Sequence, residues 1–365
     1  MAGITTRQRI ILFKARLHRG ELTPPHINLI NWVGAQEVLP LPNVNGVVCN
    51  LPADISDEEI LATGAVTAVE ENVRVRLVPW TPVKFSPFWS EQDQLIPWGV
   101  HYIGATQCWG VTRGRHIKVA VVDTGIDGNH PDIQANLKGG INFVNPGTSY
   151  FDDNGHGTHV AGTIAAVDNG SGIIGVAPEA SLYAVKVLDH RGDGNVLNVI
   201  YALQWCLQNK IDIVNMSFGT DSYSRALEEA VKTARRNGLL MVTAAGNDSG
   251  PNTVDYPAVF HETISVAAVD GRGQLAGFSS SGPEVDLLAP GANIISTYRW
   301  GTYTRLNGSS MAAAHISGAA ALVKAKYPEE DVDLLHRRLV SGATPLKGPD
   351  KGMTGAGIIR VDNSI

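Results

Sequence analysis

Five apolar runs, at residues 118–122, 182–187, 211–215, 239–244 and 263–269, alternate with or precede helix-patterned segments at 196–208, 225–237 and 312–326. Strands written as continuous apolar runs are buried on both faces, and connections long enough to hold a helix join parallel neighbours. The pattern predicts an α/β fold, a parallel sheet with helices on both faces. Ligands in such sheets bind beyond the carboxyl ends of the strands. Asp123 stands at such an end, directly after the first run and before Thr124-Gly125.

The first 78 residues read differently. Strand-like segments at 9–14, 46–51 and 66–76 are interspersed with helix-like ones, at 25–32 and after Ser56-Asp57-Glu58-Glu59. That last tetrapeptide has the Ser-x-x-Glu form of a capping box. The β-α-β-β-α-β order suits a small ferredoxin-like α+β sandwich with helices on one face. Residues 79–93 hold Pro79, Pro82 and Pro87 with little apolar periodicity, the chemistry of an extended linker open to proteolysis. The expected organisation is therefore 1–78, a linker at 79–93, and a main domain at 94–365.

Composition narrows the partners. A net charge of −6 with no long basic run points away from nucleic acid and from anionic membrane surfaces. No apolar stretch reaches spanning length. Cys49, Cys108 and Cys206 fit neither a disulfide framework nor a zinc pattern, and read as free buried thiols suited to a reducing compartment. The apolar run at 10–13 is too short for the core of a signal peptide, so a cytoplasmic location is favoured over non-standard secretion.

The chemistry lies in three short stretches. Asn307-Gly308-Ser309-Ser310-Met311-Ala312 places a hydroxyl at the first turn of a helix, with glycine before it so that another backbone can approach. A serine hydroxyl is a poor nucleophile near neutral pH and needs a base within hydrogen-bond reach. Asn154-Gly155-His156-Gly157-Thr158-His159 supplies two imidazoles, and Asp123 supplies a carboxylate that can orient one of them. A metal pair at His156 and His159 lacks a third ligand and the glutamate of a metalloprotease. Gly271-Arg272-Gly273-Gln274-Leu275-Ala276 fits a dinucleotide pattern, but serines, glycine and proline follow it where that motif requires a helix.

Three motifs in the order Asp, His, Ser resemble the subtilisin-like serine proteases, and the match extends over roughly residues 92–360. The resemblance implies a serine endopeptidase acting on proteins and peptides, with Asp123, His156 and Ser310 as its triad. His156, the first of the two histidines, would be the base and His159 a structural neighbour. Asn247, in Ala244-Ala245-Gly246-Asn247, would be the side-chain donor to the oxyanion, with the Ser310 N–H beside it. Residues 1–78, including Val69-Glu70-Glu71-Asn72, resemble the family's inhibitory pro-domain, so the chain is expected to be a zymogen that cleaves itself in the linker.

The same resemblance places substrate as an added strand between Gly192-Asp193-Gly194 and Ser217-Phe218-Gly219. Phe218 and Val196 would border the pocket for the fourth residue before the scissile bond. Residues 217–219 and 244–246 would wall the first pocket, with Asp255 near its base, before a Tyr256-Pro257 pair resembling the family's cis-proline turn. A carboxylate there either favours lysine or arginine or turns to solvent. Structural Ca²⁺ is implied through the side chains of Gln94, Asp132 and Asn169 and the carbonyls of Val167, Ser171 and Ile173. One departure stands out: Ala314 replaces the proline that usually follows the nucleophile. It leaves open a ligase-leaning variant, and a catalytically silent binding relative is the other alternative.

Overall fold

The computed structural model describes residues 6–83, 94–346 and 352–365. Strands β1 (Thr6–Phe13), β2 (Gln36–Leu41), β3 (Gly46–Pro52) and β4 (Val66–Glu70) form an antiparallel sheet in the order β2-β3-β1-β4. Helices Pro24–Trp32 and Asp57–Ala62 complete the β-α-β-β-α-β order. The second begins at the anticipated box, with Ser56 Oγ accepting from the Glu59 N–H and the Glu59 carboxylate from the Ser56 N–H. Ile11, Phe13, Val33, Val47, Cys49, Leu51 and Ile60 give this unit a core of its own.

The expected final strand at 66–76 is two strands. β4 ends at Glu70, and after a three-residue break β5 (Arg74–Leu77) leaves the small sheet. It lies antiparallel between β10 (Asp193–Asn195) and β12 (Phe218–Gly219), and β6 (Thr81–Val83) follows it. The Glu70 carboxylate caps the helix Arg225–Arg236, accepting from Ser224 Oγ and from the N–H groups of Arg225 and Ala226. A carboxylate at a helix N-terminus meets both orphan donors and the positive end of the dipole. That anchorage, off the small sheet's edge, is what redirects the chain.

The main sheet has seven parallel strands: β7 (Lys118–Asp123), β8 (Leu137–Asn142), β9 (Ser181–Lys186), β11 (Ile213–Met216), β13 (Leu240–Ala244), β15 (Ile264–Val269) and β17 (Leu287–Pro290). Their order is β17-β15-β13-β11-β7-β9-β8. The five expected strands are the inner ones. The two that periodicity missed are the edges: β8 carries glycines and a register shift, and β17 ends in proline. The signal was broken by glycine in β8 and confined to four residues in β17. Short strands β14 (Gly250–Pro251) and β16 (Ser280–Ser281) pair with each other, and the hairpin β18 (Ile294–Tyr298)–β19 (Thr302–Asn307) pairs with β6.

Alternation along β7 shows the layering. Val119 and Val121 pack with helices His156–Ala165 and Ser309–Lys326 on one face. Ala120 and Val122 pack with helices Val196–Gln208 and Arg225–Arg236 on the other. The helix Ser309–Lys326 starts three residues earlier than its apolar pattern suggests and is buried from Ser309 to Val323. Ala314 sits in its unbroken interior. All three cysteines are free and buried, and no helix among the described residues is long and apolar enough to cross a membrane.

Candidate active site

Asp123 closes β7 and His156 opens a helix, and both are fully buried. His156 Nδ1 donates to both carboxylate oxygens of Asp123, at 2.9 and 3.0 Å. Gly157 permits this closeness, since a Cβ there would lie 2.1 Å from the Gly125 carbonyl oxygen and 3.2 Å from Asp123 Cβ. A second carboxylate holds the loop. Asp152 accepts from Thr124 Oγ1 at 2.8 Å, the Gly155 N–H at 2.8 Å, and Thr158 N and Oγ1 at 2.9 and 2.6 Å. Lys186 Nζ bonds the Thr124 carbonyl at 2.5 Å and Asp153 Oδ1 at 2.7 Å. Asp152 and Lys186 drew no attention in the sequence, where each stands alone. A turn acid four residues before a glycine-flanked histidine was the available signal.

Ser310 is the second residue of its helix, and its Oγ donates to the Ser217 carbonyl at 3.3 Å. Among the described residues, His156 Nε2 is buried without a hydrogen-bond partner. The Asp–His half of the expected relay is therefore built and the His–Ser half is open, as is common before substrate completes such a site. Asn247 is oriented by its own Oδ1, which accepts the Ser309 N–H at 3.0 Å. Its Nδ2 donates to the carbonyl of Pro79 at 2.6 Å.

That carbonyl belongs to a segment threaded through the cleft. Along β5, Val75 lies opposite Gly194, Leu77 opposite Phe218 and Arg76 opposite Gly219. The Leu77 N–H reaches the Gly192 carbonyl at 2.9 Å, and the Val196 N–H reaches the Val73 carbonyl at 2.9 Å. Val75 is fully buried in one cluster with Val196 and Phe218. Beyond the site, β6 pairs with the edge of β19, and Asn307 Nδ2 donates to Thr81 Oγ1 at 3.1 Å. Within the linker expected at 79–93, residues 81–83 pair as a strand, because prolines that bar a central strand still permit pairing at an edge. Residues 84–93 lie outside those described. If Val75 fills the pocket that the resemblance gives the fourth residue, counting forward would put the scissile bond at Val78–Pro79. Asn247 instead holds the next carbonyl, that of Pro79. A proline's fixed φ ends the extended run at that point.

Asp255 lies against Gly219 and Gly246, and Tyr256–Pro257 is a cis peptide. His159 Nε2 bonds the Ile294 carbonyl at 3.1 Å, and burial, with His156 beside it, pushes its pKa down to about 3. It is a neutral structural imidazole. Residues 270–274 form a tight turn closed by the Asp270 N–H on the Gln274 carbonyl, which disposes of the dinucleotide pattern.

The calcium candidates also meet. Gln94 Nε2 donates to the carbonyls of Val167 (2.8 Å) and Ile173 (3.3 Å), and its Oε1 accepts the Gly170 N–H. Asp132 accepts from the Ile173 N–H at 2.8 Å, Tyr303 OH at 2.9 Å and Asn169 Nδ2 at 3.3 Å. Ser171 bonds Asn169 Oδ1 through both its N–H and its hydroxyl. Among the described residues no group of three or more His, Cys, Asp or Glu is placed to hold a metal ion.

A parallel α/β sheet with a buried Asp–His pair and a serine at a helix start defines a hydrolase of the serine type. Residues 114–357 match the subtilase family, and the chain belongs to it. It is a serine endopeptidase acting on protein substrates. The thermostable alkaline protease of Halalkalibacterium halodurans is 44% identical over 286 residues, covering 78% of this chain and 74% of the relative. Subtilisin DY of Bacillus licheniformis is 44% identical over 274 residues, covering 74% and 98%. Subtilisin E of Bacillus subtilis is 46% identical over 262 residues, covering 70% and 68%.

Proposed function

We propose that Asp123, His156 and Ser310 are the catalytic triad, that Asn247 stabilises the oxyanion, and that residues 1–78 form an inhibitory pro-domain whose last strand and following residues block the cleft. His156 takes the Ser310 proton as Oγ attacks the scissile carbonyl, and returns a proton to the leaving amine. Asp123 keeps Nδ1 protonated, so that Nε2 is the atom free to accept. Asn247 Nδ2 meets the charge that develops on the carbonyl oxygen. Water then repeats the sequence on the acyl-enzyme.

The observation that carries this reading is the 2.6 Å bond from Asn247 to the Pro79 carbonyl. A peptide carbonyl already sits on the proposed oxyanion donor, held there by strand pairing on either side. A fluorophosphonate is the test. It should label Ser310 in the activated protein, and residues 1–78 added in trans at micromolar concentration should suppress that labelling. Labelling of a different residue would remove the triad. Undiminished labelling would make the N-terminal unit an appendage.

The same proposal places Ca²⁺ on Gln94, Asp132, Asn169 and the carbonyls of Val167, Ser171 and Ile173. Support comes from the donor set: the Asp132 carboxylate, the amide oxygens of Gln94 and Asn169 and the carbonyls of Val167 and Ile173 are hard oxygens that this fold gathers around one loop. Bound there, the ion would tie the start of the main domain to the loop 167–173 and add stability. A ligand that binds only the folded chain stabilises it by about 2.7 kcal/mol at a hundredfold excess over Kd. Chelation should lower the melting temperature of the wild type and leave Asp132→Ala unmoved. Equal shifts in the two would mean that the ion binds elsewhere.

A further inference from the structure

We propose that Asp255 makes the first substrate pocket anionic, so that the enzyme selects lysine or arginine before the scissile bond, with Asp221 and Asp248 adding charge at the margin. The proposal deepens the endopeptidase reading and rests on the cleft assigned above.

Geometry decides between a carboxylate in the pocket and one turned to solvent. The Asp255 N–H bonds the Ala245 carbonyl at 2.9 Å, and Tyr256 pairs with Thr220. The residue is thus tied to both pocket walls. A Cβ added to Gly219 would lie 2.6 Å from Asp255 Oδ2, and one added to Gly246 would lie 3.1 Å from it. The carboxylate therefore fills the gap between segments 217–219 and 244–246, where two glycines make room for it. It has no hydrogen-bond or ion-pair partner among the described residues, so its charge is not already spent within the protein.

The surroundings are one-sided. Asp255 borders a cavity of about 420 Å³ together with Val78, Pro79, Gly219, Asp221 and Asp248. The only cations lining it among the described residues are Arg74 and Arg76, both on the occluding strand β5, and Arg76 faces Asp193 at 3.5 Å. When that strand leaves, three carboxylates and no cation remain. In a partly dehydrated space an ammonium or guanidinium gains more from them than it does in water.

Selection should also depend on pH. Burial, and then Asp248 and Asp221, push the pKa of Asp255 up to about 7. A raised carboxylate is neutral below that value and charged above it. A lysine ammonium stays charged across the range, with an ordinary pKa near ~10.4. Preference for the cation is therefore weak in mild acid and grows as pH passes neutrality. A pH effect that acts on both substrates alike cancels in a ratio.

The experiment uses the activated full chain and two peptides that differ only in lysine or norleucine before the scissile bond. The lysine-to-norleucine ratio of kcat/KM should rise about tenfold or more between pH 5.5 and 8.5, one unit of pKa coupling or better. Asp255→Asn should flatten it, with norleucine turnover reporting that the variant is folded. A flat wild-type ratio with both peptides cleaved overturns the anionic pocket and leaves the endopeptidase standing. A second measurement needs no turnover. In a Ser310→Ala chain, Val78, which borders the same cavity, is replaced by lysine or by leucine. The melting temperature of the lysine variant relative to the leucine one should rise from pH 5.5 to 8.5, and Asp255→Asn should abolish the rise. An unchanged difference at the two pH values overturns the proposal even if neither peptide is cleaved.

Discussion

Ser310→Ala should abolish peptide-bond hydrolysis and leave the chain at its full length on storage, as read by intact mass. The loss should be on the order of 10⁶ in kcat, a magnitude known for triad knock-outs in subtilisin rather than one obtained from this geometry. The physical reason is that nothing near the serine can replace it. Ser309 Oγ already accepts the Gly246 N–H at 3.2 Å, and Ser217 Oγ donates to the Ser310 carbonyl at 3.3 Å. His159, the other imidazole nearby, is held neutral and bonded to Ile294. Stability should change little, because the lost hydroxyl makes one long bond to the Ser217 carbonyl. Continued turnover by the purified variant would show that the nucleophile is another residue. A chain that shortens at the wild-type rate would place processing outside this site.

Much of this site was legible because its motifs carry their own local structure. A strand that ends in Asp, a glycine-flanked histidine and a serine before a run of alanines each fix a backbone turn as well as a side chain. Strand interiors were equally plain, since β7, β11 and β13 lie buried on both faces and are written as apolar runs. Edge strands β8 and β17 were not: β8 is broken by Gly139 and Gly140, and the apolar run of β17 is only four residues long and ends in Pro290. The Asp152 cage was hidden for another reason. Its meaning lies in bonds to Thr124, Gly155 and Thr158, which are 28, 3 and 6 residues away and share no pattern.

The pairing of residues 81–83 was not anticipated. Prolines in a sequence signal what a segment cannot do, which is to sit in a central sheet, and the linker reading followed from that. They do not reveal that β19 exposes an edge to which residues 81–83 can pair. The energy of that pairing belongs to the partner strands and is invisible in the segment itself.

Asn247→Ala should slow turnover by roughly 10²–10³, equivalent to about 2.7–4 kcal/mol, the loss already known for this donor in subtilisin and not a value derived from these distances. The informative comparison is with inhibition. In the resting chain Asn247 Nδ2 bonds a neutral carbonyl, that of Pro79, and a hydrogen bond between neutral groups contributes about 0.5–1.5 kcal/mol net. Removing it should weaken binding of residues 1–79, the fragment that carries that carbonyl, by only about 2- to 13-fold on that figure. The same side chain therefore serves the inhibitor modestly and the transition state strongly, because only the latter carries a developing negative charge in a water-poor site. The variant should show a reduced kcat with KM nearly unchanged, as expected for an interaction realised only in the transition state. Part of any stability change will come from Asn247 Oδ1, which also accepts the Ser309 N–H. Asn247→Asp keeps that acceptor but sets a carboxylate oxygen where the oxyanion develops, and should turn over more slowly than the alanine variant. If turnover and pro-domain affinity instead fell by the same factor in Asn247→Ala, the residue would be a binding contact and the oxyanion would be stabilised elsewhere.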